Sequence, residues 1–392
     1  MRLVLGVGAG IAAYKSCELA SRLTQDGHEV FICLTREATR FVSPRTFAAL
    51  THRPVSVEVG DEPLGPISHV TLARTAALMV VAPATADLIA RMAEGRADDM
   101  LTAVYLGLRA PVLLAPAMEA EMWSHPAVKR HVERLRADGV VFIGPEEGRL
   151  ASGLAGRGRM SEAARIHDRI EWLATPKTLA GRSLLITAGP TREFFDPVRF
   201  LSNPSSGSMG TAVAKAARNR GARVTLVHGP LSVPVPDGVD TVAVTSALEM
   251  EAAVFRCASD VDVIIATAAV SDWRPKTRQS EKVKKQETAM HWEMVPNPDI
   301  LARLGHERAR PGQILVGFAA ETSDVAERGR EKLRQKGVDL LLANQVGYER
   351  GFGPGDVQGV LLSRTGTEEP VVGDKTAAAQ ILLDAVERLF TT

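Results

Sequence analysis

Cysteine is scarce in this chain: Cys17, Cys33 and Cys257 are the three in 392 residues, far apart, with no CxxC pair and no histidine cluster at metal-ligand spacing. A disulfide scaffold and a structural zinc are thereby disfavoured, and a reduced, cytoplasmic setting is expected. Net charge is scarce too. Against 47 basic residues stand 46 acidic ones, leaving +1, so no global field draws nucleic acid or an anionic membrane, and any anion preference must be local. No stretch reaches the roughly twenty uninterrupted apolar residues of a membrane helix. The apolar start, MRLVLGVGAG, is too short and too broken by glycine for a signal peptide. Neither half carries GxGxxG with an acidic residue ending the next strand, which disfavours a dinucleotide dehydrogenase.

What is present is globular material, 45% hydrophobic and 24% charged, enough for about two or three packed domains. Two halves begin alike, with a short β-rich run, a glycine-bearing loop and a helix. Residues 2–6 lead through Gly8 and Gly10 into a helix over 11–25 and a strand over 28–34; residues 183–187, a loop to Gly207, a helix over 208–220 and a strand over 223–227 repeat that order. Such alternation predicts α/β architecture with two doubly wound, Rossmann-like domains and sites at the carboxyl ends of strands. The join is expected within the polar TPKTLAGR at 175–182, dividing the chain into 1–176 and 177–392. Further buried strands are expected at 77–82, 111–115, 261–267, 313–318 and 339–342, each ending in a loop with chemical potential.

Residues 186–210, ITAGPTREFFDPVRFLSNPSSGSMG, are the most informative segment. A strand, a turn, two arginines and a glycine-serine loop precede a helix whose N-terminal amides and dipole favour an anion, most naturally a phosphate. Residues 274–285 hold six basic residues and one acid. Charge runs of this kind are commonly solvated loops, but KVKK alternates like a strand, and its place after a strand end favours a functional reading.

By its motifs the second half resembles the phosphopantothenate–cysteine ligase family: TAGPTRE, DPVRFLSN, SSGSMG, AAVSDW, EKVKKQ, NPDIL and GFAAET occur in order. The first half resembles the flavin-dependent cysteine decarboxylases through GIAAYK, APATAD and PAMxxxMW. Together they cover nearly the whole chain and are similar to the bifunctional coenzyme A biosynthesis enzymes. The resemblance implies a flavodoxin-like flavoprotein decarboxylase fold followed by a nucleotide-binding ligase fold.

For the ligase half it implies that CTP and Mg²⁺ convert 4′-phosphopantothenate to an acyl-cytidylate, which the amine of cysteine attacks. Asp272, Lys282, Pro298, Asp299, Ile300, Leu301, Phe318, Lys332 and Lys336 would hold CTP, the last two lying one helical turn apart. Arg199 and Asn203 would contact the acyl-cytidylate, and Lys282 would help neutralise the phosphorus centre. Outside the motif order, Lys332 and Lys336 would read as an ordinary exposed helix face.

For the decarboxylase half the resemblance implies FMN over Gly8, Gly10, Thr35, Ser43, Thr85 and Met118, with His69 as the catalytic histidine. Three positions depart from the pattern. Glu119 stands where an asparagine commonly grips the substrate carboxylate, and a glutamate repels that group unless protonated or turned away. Ser152 stands where the substrate flap often carries a redox-active cysteine. Gly8 replaces a serine at the flavin phosphate. Two readings of this half therefore stay open beside plain decarboxylation: a modified decarboxylase, and a non-catalytic flavin-binding trimerisation module. Paired ligase domains and trimeric decarboxylase domains would close a homo-oligomer, up to a dodecamer. Loops around Arg157 and Ser205 could be completed by a neighbouring subunit.

Overall fold

The computed structural model describes all residues except 62, 63, 66, 285–289, 348–354, 391 and 392. Lys285 and Gln286 of the EKVKKQ motif thus lie outside the described residues. The chain divides into two compact units, Met1–Thr175 and Pro176–Thr392.

In the first unit β1 (Arg2–Val7), β2 (Glu29–Leu34), β3 (Val55–Ser56), β4 (Leu78–Ala84), β5 (Val112–Pro116) and β6 (Val141–Phe142) form one sheet in the order β3-β2-β1-β4-β5-β6. Every pairing is parallel. Helices cover both faces, so the central strands read as unbroken apolar runs rather than alternating ones. Alternate residues divide accordingly: Val4, Met79 and Val81 enter one core, and Leu3, Leu5 and Val80 the other. The helix expected over 11–25 starts as a short 3₁₀ turn, Ile11–Tyr14, before the α-helix Lys15–Gln25. A hairpin, β7 (Glu146–Arg149) with β8 (Ala155–Arg159), stands outside the sheet.

The second unit is built on β9 (Ser183–Ala188), followed by the hairpin β10 (Arg192–Phe194) and β11 (Phe200–Ser202). β12 (Arg223–His228), β13 (Asp240–Ala243) and β14 (Val263–Ala266) follow, then a small ribbon of β15 (Trp273–Pro275) with β16 (Met294–Pro296). β17 (Ile314–Glu321), β18 (Leu340–Gln345), β19 (Val357–Ser363) and β20 (Glu368–Gly373) complete it. The main sheet runs β13-β12-β9-β14-β17-β18-β19-β20. It is parallel through β18, after which β19 and β20 are antiparallel. That antiparallel edge departs from a plain doubly wound sheet. It arises because a tight turn at 364–367, rather than a crossover helix, joins β19 to β20. The strand expected from KVKK does not form at 282–284.

Strand order reverses between β9 and β14, and crevices open at such a switch point. The helices Ser208–Asn219 and Lys375–Phe390 cover one face; Ala247–Ala258, Ile300–His306 and Val325–Lys336 cover the other.

Candidate functional site

A cavity of about 610 Å³ opens at the carboxyl edge of the second sheet, around the β9/β14 switch point. Two glycines bring the glycine-serine loop against it. Gly207 caps the helix Ser208–Asn219 with φ 79°, and a Cβ there would fall 2.2 Å from Leu231 Cδ2. At Gly210 a Cβ would meet Ala188 Cβ at 2.5 Å and Thr267 Oγ1 at 2.6 Å, so only glycine lets the first helical turn lie on β9. The loop amides are less free than the sequence suggests. Gly207 N–H donates to Ser205 Oγ and Ser208 N–H to Ser206 Oγ, both at 3.3 Å.

Asn203 lines the cavity with its amide already committed: Nδ2 donates to Ala269 O and Val270 O, each at 3.2 Å. Oδ1 is what remains for a ligand, so the group accepts rather than both donating and accepting. Opposite, Asp272, Pro298, Asp299, Ile300, Leu301, Phe318, Lys332 and Lys336 line the same space. Asn297 braces this wall, its N–H donating to Asp272 O and its Nδ2 to Ser271 O, both at 2.8 Å. Asp299 caps the helix Ile300–His306 and contacts Lys336. Burial alone would raise its carboxyl, but Lys336 and the Ala302 N–H outweigh that and hold it below the usual range. Lys332 Nζ lies 2.6 Å from the buried Glu321 Oε1.

Arg199 and Lys282 fall outside this lining. Arg199 sits instead at Asp196, whose Oδ1 accepts from Val198 and Arg199 N–H at 2.8 Å and whose Oδ2 accepts at 3.2 Å from the N–H of Val283, the residue after Lys282. The Arg199 guanidinium approaches Asp196 Oδ2 at 3.4 Å, and Lys282 is exposed. Burial works against the Asp196 anion, yet the three backbone N–H groups and Arg199 pull its carboxyl below the ordinary value. Among the lining residues that the sequence reading did not assign to the site are Asn297, Asn344 and Lys375. Asn297 opens the NPDIL motif, and Asn344 lies just past the strand expected over 339–342, on β18 paired in parallel with β17; nothing local marks Lys375, which the antiparallel edge brings in.

The first unit carries a cavity of about 1100 Å³, lined by Gly10, Thr35, Thr85, Met118 and Glu119 among others. Thr35 and Thr85 sit at helix starts, their hydroxyls accepting from Ala38 N–H at 3.2 Å and Leu88 N–H at 3.3 Å. Gly8 supports the wall from behind: its N–H donates to Pro83 O at 3.0 Å, and a Cβ there would lie 2.6 Å from that oxygen. The glycine in place of a serine thus packs β1 against the end of β4. Two basic groups of this cavity are held by carboxylates, Lys15 by Glu162 at 2.9 Å and Arg91 by Asp99 at 2.8 Å.

Ser43, His69 and Ser152 do not line this cavity. Ser43 Oγ caps the helix Pro44–Thr51. His69, on the helix Ser68–Thr75, buries Nδ1 with no hydrogen-bond partner among the described residues. Ser152, in the turn of the β7–β8 hairpin, reaches the cavity through Glu119: its Oγ donates to Glu119 Oε2 at 2.9 Å. The hairpin lies on the loop after β5, where Met118 N–H donates to Gly158 O at 3.0 Å and a Cβ on Gly158 would fall 2.0 Å from Met118 O. Hydroxyls and helix starts at one end, and Ile11, Met118, Met122 and Met160 around the rest, fit a flat aromatic ligand bearing a phosphate.

An all-parallel flavoprotein-like unit and a nucleotide-crevice unit thus define a two-domain α/β enzyme class. Residues 1–174 match the Flavoprotein family, and residues 179–389 match the DNA/pantothenate metabolism flavoprotein C-terminal domain. The chain is 46% identical to the coenzyme A biosynthesis bifunctional protein CoaBC of Mycobacterium tuberculosis, over 98% of this chain and 96% of that protein. With the Bacillus subtilis CoaBC it shares 46% identity over 90% of this chain and 87% of that one. Among solved structures it is similar to the C-terminal domain of a CoaBC, at 38% identity and TM-score 0.47, covering 55% of this chain and 98% of that one. The chain belongs to the CoaBC family of bifunctional coenzyme A biosynthesis proteins. No helix among the described residues is long and apolar enough to cross a membrane.

Proposed function

We propose that this chain carries out two consecutive steps of coenzyme A biosynthesis: CTP-dependent ligation of 4′-phosphopantothenate to cysteine, then FMN-dependent decarboxylation of 4′-phosphopantothenoylcysteine to 4′-phosphopantetheine. The observation that carries the reading is the pair of cavities, one at the carboxyl edge of each sheet, lined by the family's motif residues.

In the ligase cavity the substrate carboxylate attacks the α-phosphorus of CTP and pyrophosphate leaves. The cysteine amine then attacks the activated acyl carbon and CMP leaves as the amide forms. Asp272 and residues 298–301 would seat the nucleotide, with Phe318 against it and Lys332 and Lys336 toward its phosphates. Asn203 Oδ1 would accept a hydrogen bond from the attacking amine and hold its lone pair toward the acyl carbon. Arg199, held at Asp196, and Lys282, exposed and next in the chain to Val283, are assigned to the acyl-cytidylate and to CTP through a shift of their loops or a neighbouring subunit. No group of three or more His, Cys, Asp or Glu side chains suited to a metal occurs among the described residues, so Mg²⁺ is read as arriving with the nucleotide phosphates.

In the decarboxylase cavity Gly10, Thr35 and Thr85 would hold FMN, with Met118 against the ring. FMN when bound supplies the hydride acceptor that makes loss of CO₂ from the cysteinyl carboxylate easy. Ser43 and Gly8 shape its surroundings, Glu119 forms the wall nearest the substrate carboxylate with Ser152 bonded behind it, and His69 is assigned to the flavin from its motif. A cytoplasmic homo-oligomer completes the proposal, up to a dodecamer.

A one-pot assay with 4′-phosphopantothenate, cysteine, CTP and Mg²⁺, reading pyrophosphate and CO₂ separately, tests both halves. The expected result is both products from a yellow protein. Pyrophosphate without CO₂ would confine turnover to the second unit, and CO₂ release only from added 4′-phosphopantothenoylcysteine would confine it to the first.

A further inference from the structure

The ligase cavity has basic poles on opposite faces of its sheet. Lys332 and Lys336 belong to the helix Val325–Lys336, which packs over Leu185, Ile264 and Leu315. Lys375 opens the helix Lys375–Phe390, which packs with Ser208–Asn219 over Leu184, Ile186 and Val263. The antiparallel edge brings it there. Asn344, near the carboxyl end of β18, pairs with Gly359; Gly373, ending β20, pairs with Val357, two residues closer to that edge. Lys375 therefore lines the same cavity as Asn203, Ser208 and Asn344.

The poles differ in how their charge is met. Lys332 faces Glu321 and Lys336 faces Asp299. Among the described residues no carboxylate lies within ion-pair distance of Lys375, and burial pushes its ammonium below the ordinary lysine value with no charged partner opposing it. Neighbouring Asp374 is turned to its own helix, Oδ1 accepting from Ala377 N–H at 2.7 Å. Asn344 Oδ1, on the same side, is buried with no hydrogen-bond partner among the described residues. A half-buried cation and a buried acceptor facing one cavity are costly unless a ligand satisfies both.

Ligation brings the nucleotide phosphates and a phosphate monoester on the acid substrate into one cavity. With the nucleotide against Lys332 and Lys336, and the reacting carboxylate beside Asn203, the far end of the acid extends toward the opposite face. We propose that Lys375 is a specificity-determining residue of the ligase, receiving the phosphate monoester of the acid substrate at the pole opposite the nucleotide lysines. Asn344 Oδ1 accepts from a hydroxyl or amide N–H of the same molecule. This assignment rests on the ligase reading above.

The test uses the full-length chain and pyrophosphate release, comparing wild type with Lys375→Met and Lys375→Arg. In Lys375→Met the KM for 4′-phosphopantothenate rises about tenfold or more, as for a lost charge-assisted hydrogen bond, while the KM for CTP stays within about twofold. Preference for phosphorylated over unphosphorylated pantothenate collapses with it, and Lys375→Arg restores most of both. A rise in the KM for CTP instead, or an unchanged KM for 4′-phosphopantothenate, overturns the assignment while leaving the ligase reading intact. Wild type alone gives a second measurement that needs no variant to fold: inorganic phosphate competes with 4′-phosphopantothenate, and competition with CTP alone overturns the assignment. A wild-type chain that releases no pyrophosphate at all defeats the ligase reading itself.

Discussion

Ser152 Oγ donates a hydrogen bond to Glu119 Oε2 at 2.9 Å, so the two unusual residues of the flavin half are bonded to each other. One lies in the turn of the β7–β8 hairpin and the other follows β5. The hydroxyl, which cannot do redox chemistry, turns the Glu119 carboxylate toward the hairpin. The charge nevertheless remains on the cavity wall, where the proposed substrate would bring a carboxylate of its own.

Glu119→Gln keeps the acceptor for Ser152 and removes the charge. We expect the KM for 4′-phosphopantothenoylcysteine in decarboxylation to fall several-fold, on the order of 1 kcal/mol for like charges at a partly solvated site. Flavin content, read from the visible spectrum, stays constant. A higher KM would show instead that the carboxylate favours substrate binding.

Asn203→Asp replaces two donated hydrogen bonds with an anion facing the Ala269 and Val270 carbonyls. Amide formation should drop by about 100-fold, in the range of a few kcal/mol for a buried polar mismatch. Pyrophosphate release in the absence of cysteine persists. Full amide-forming activity in this variant would remove Asn203 from the second half-reaction.

Lys332→Met strips the partner closest to the buried Glu321, leaving Arg328 at 3.7 Å. Breaking such a pair costs roughly 3–5 kcal/mol when the remaining charge is buried, and the distant arginine lowers that figure. The double change Lys332→Met with Glu321→Gln should recover the thermal midpoint but not the KM for CTP. Recovery of both would make Lys332 a structural residue only.

Asp262 gives a pH test away from both cavities. Its Oδ2 accepts from Ser183 N–H at 2.8 Å and Oγ at 3.0 Å, and its Oδ1 meets Arg310. Burial pushes the carboxyl up, but Ser183, Arg310 and Arg182 outweigh it and hold it below the usual range. A depressed folded-state value means the stabilisation is present above the unfolded value of about 3.9 and is lost as pH falls through the folded one. Asp262→Asn should therefore destabilise by about 1–3 kcal/mol at pH 7, and the gap from wild type should narrow below about pH 4. Denaturant midpoints measured across pH check this; a constant gap would mean that Asp262 acts through shape rather than charge.

Strand and helix alternation and the motif loops were legible in the chain because they rest on local patterns: apolar runs, small residues before helices, and glycines such as Gly207 and Gly210 where a side chain has no room. Residues 298–301, Lys332 and Lys336, which line the second unit's cavity, came from the motif resemblance and not from local pattern. Local pattern failed where position depends on pairing. KVKK alternates like a strand, yet no strand forms at 282–284, where Val283 is bonded to Asp196. The Asn203 amide looked able to donate until two carbonyls 66 and 67 residues further along the chain claimed its hydrogens.

The residue types, their order and the two halves they define follow from the sequence itself, because side-chain chemistry and local propensity are properties of short segments. Which charges stand paired and which stand open was decided by the tertiary structure alone. The β18-β19-β20 edge carries Lys375 to a crevice shared with residues 172 positions earlier at Asn203, and hairpin packing on the loop after β5 joins Ser152 to Glu119. Ion pairing and hydrogen bonding act over a few ångströms, so only the folded path of the backbone determines which of these groups meet.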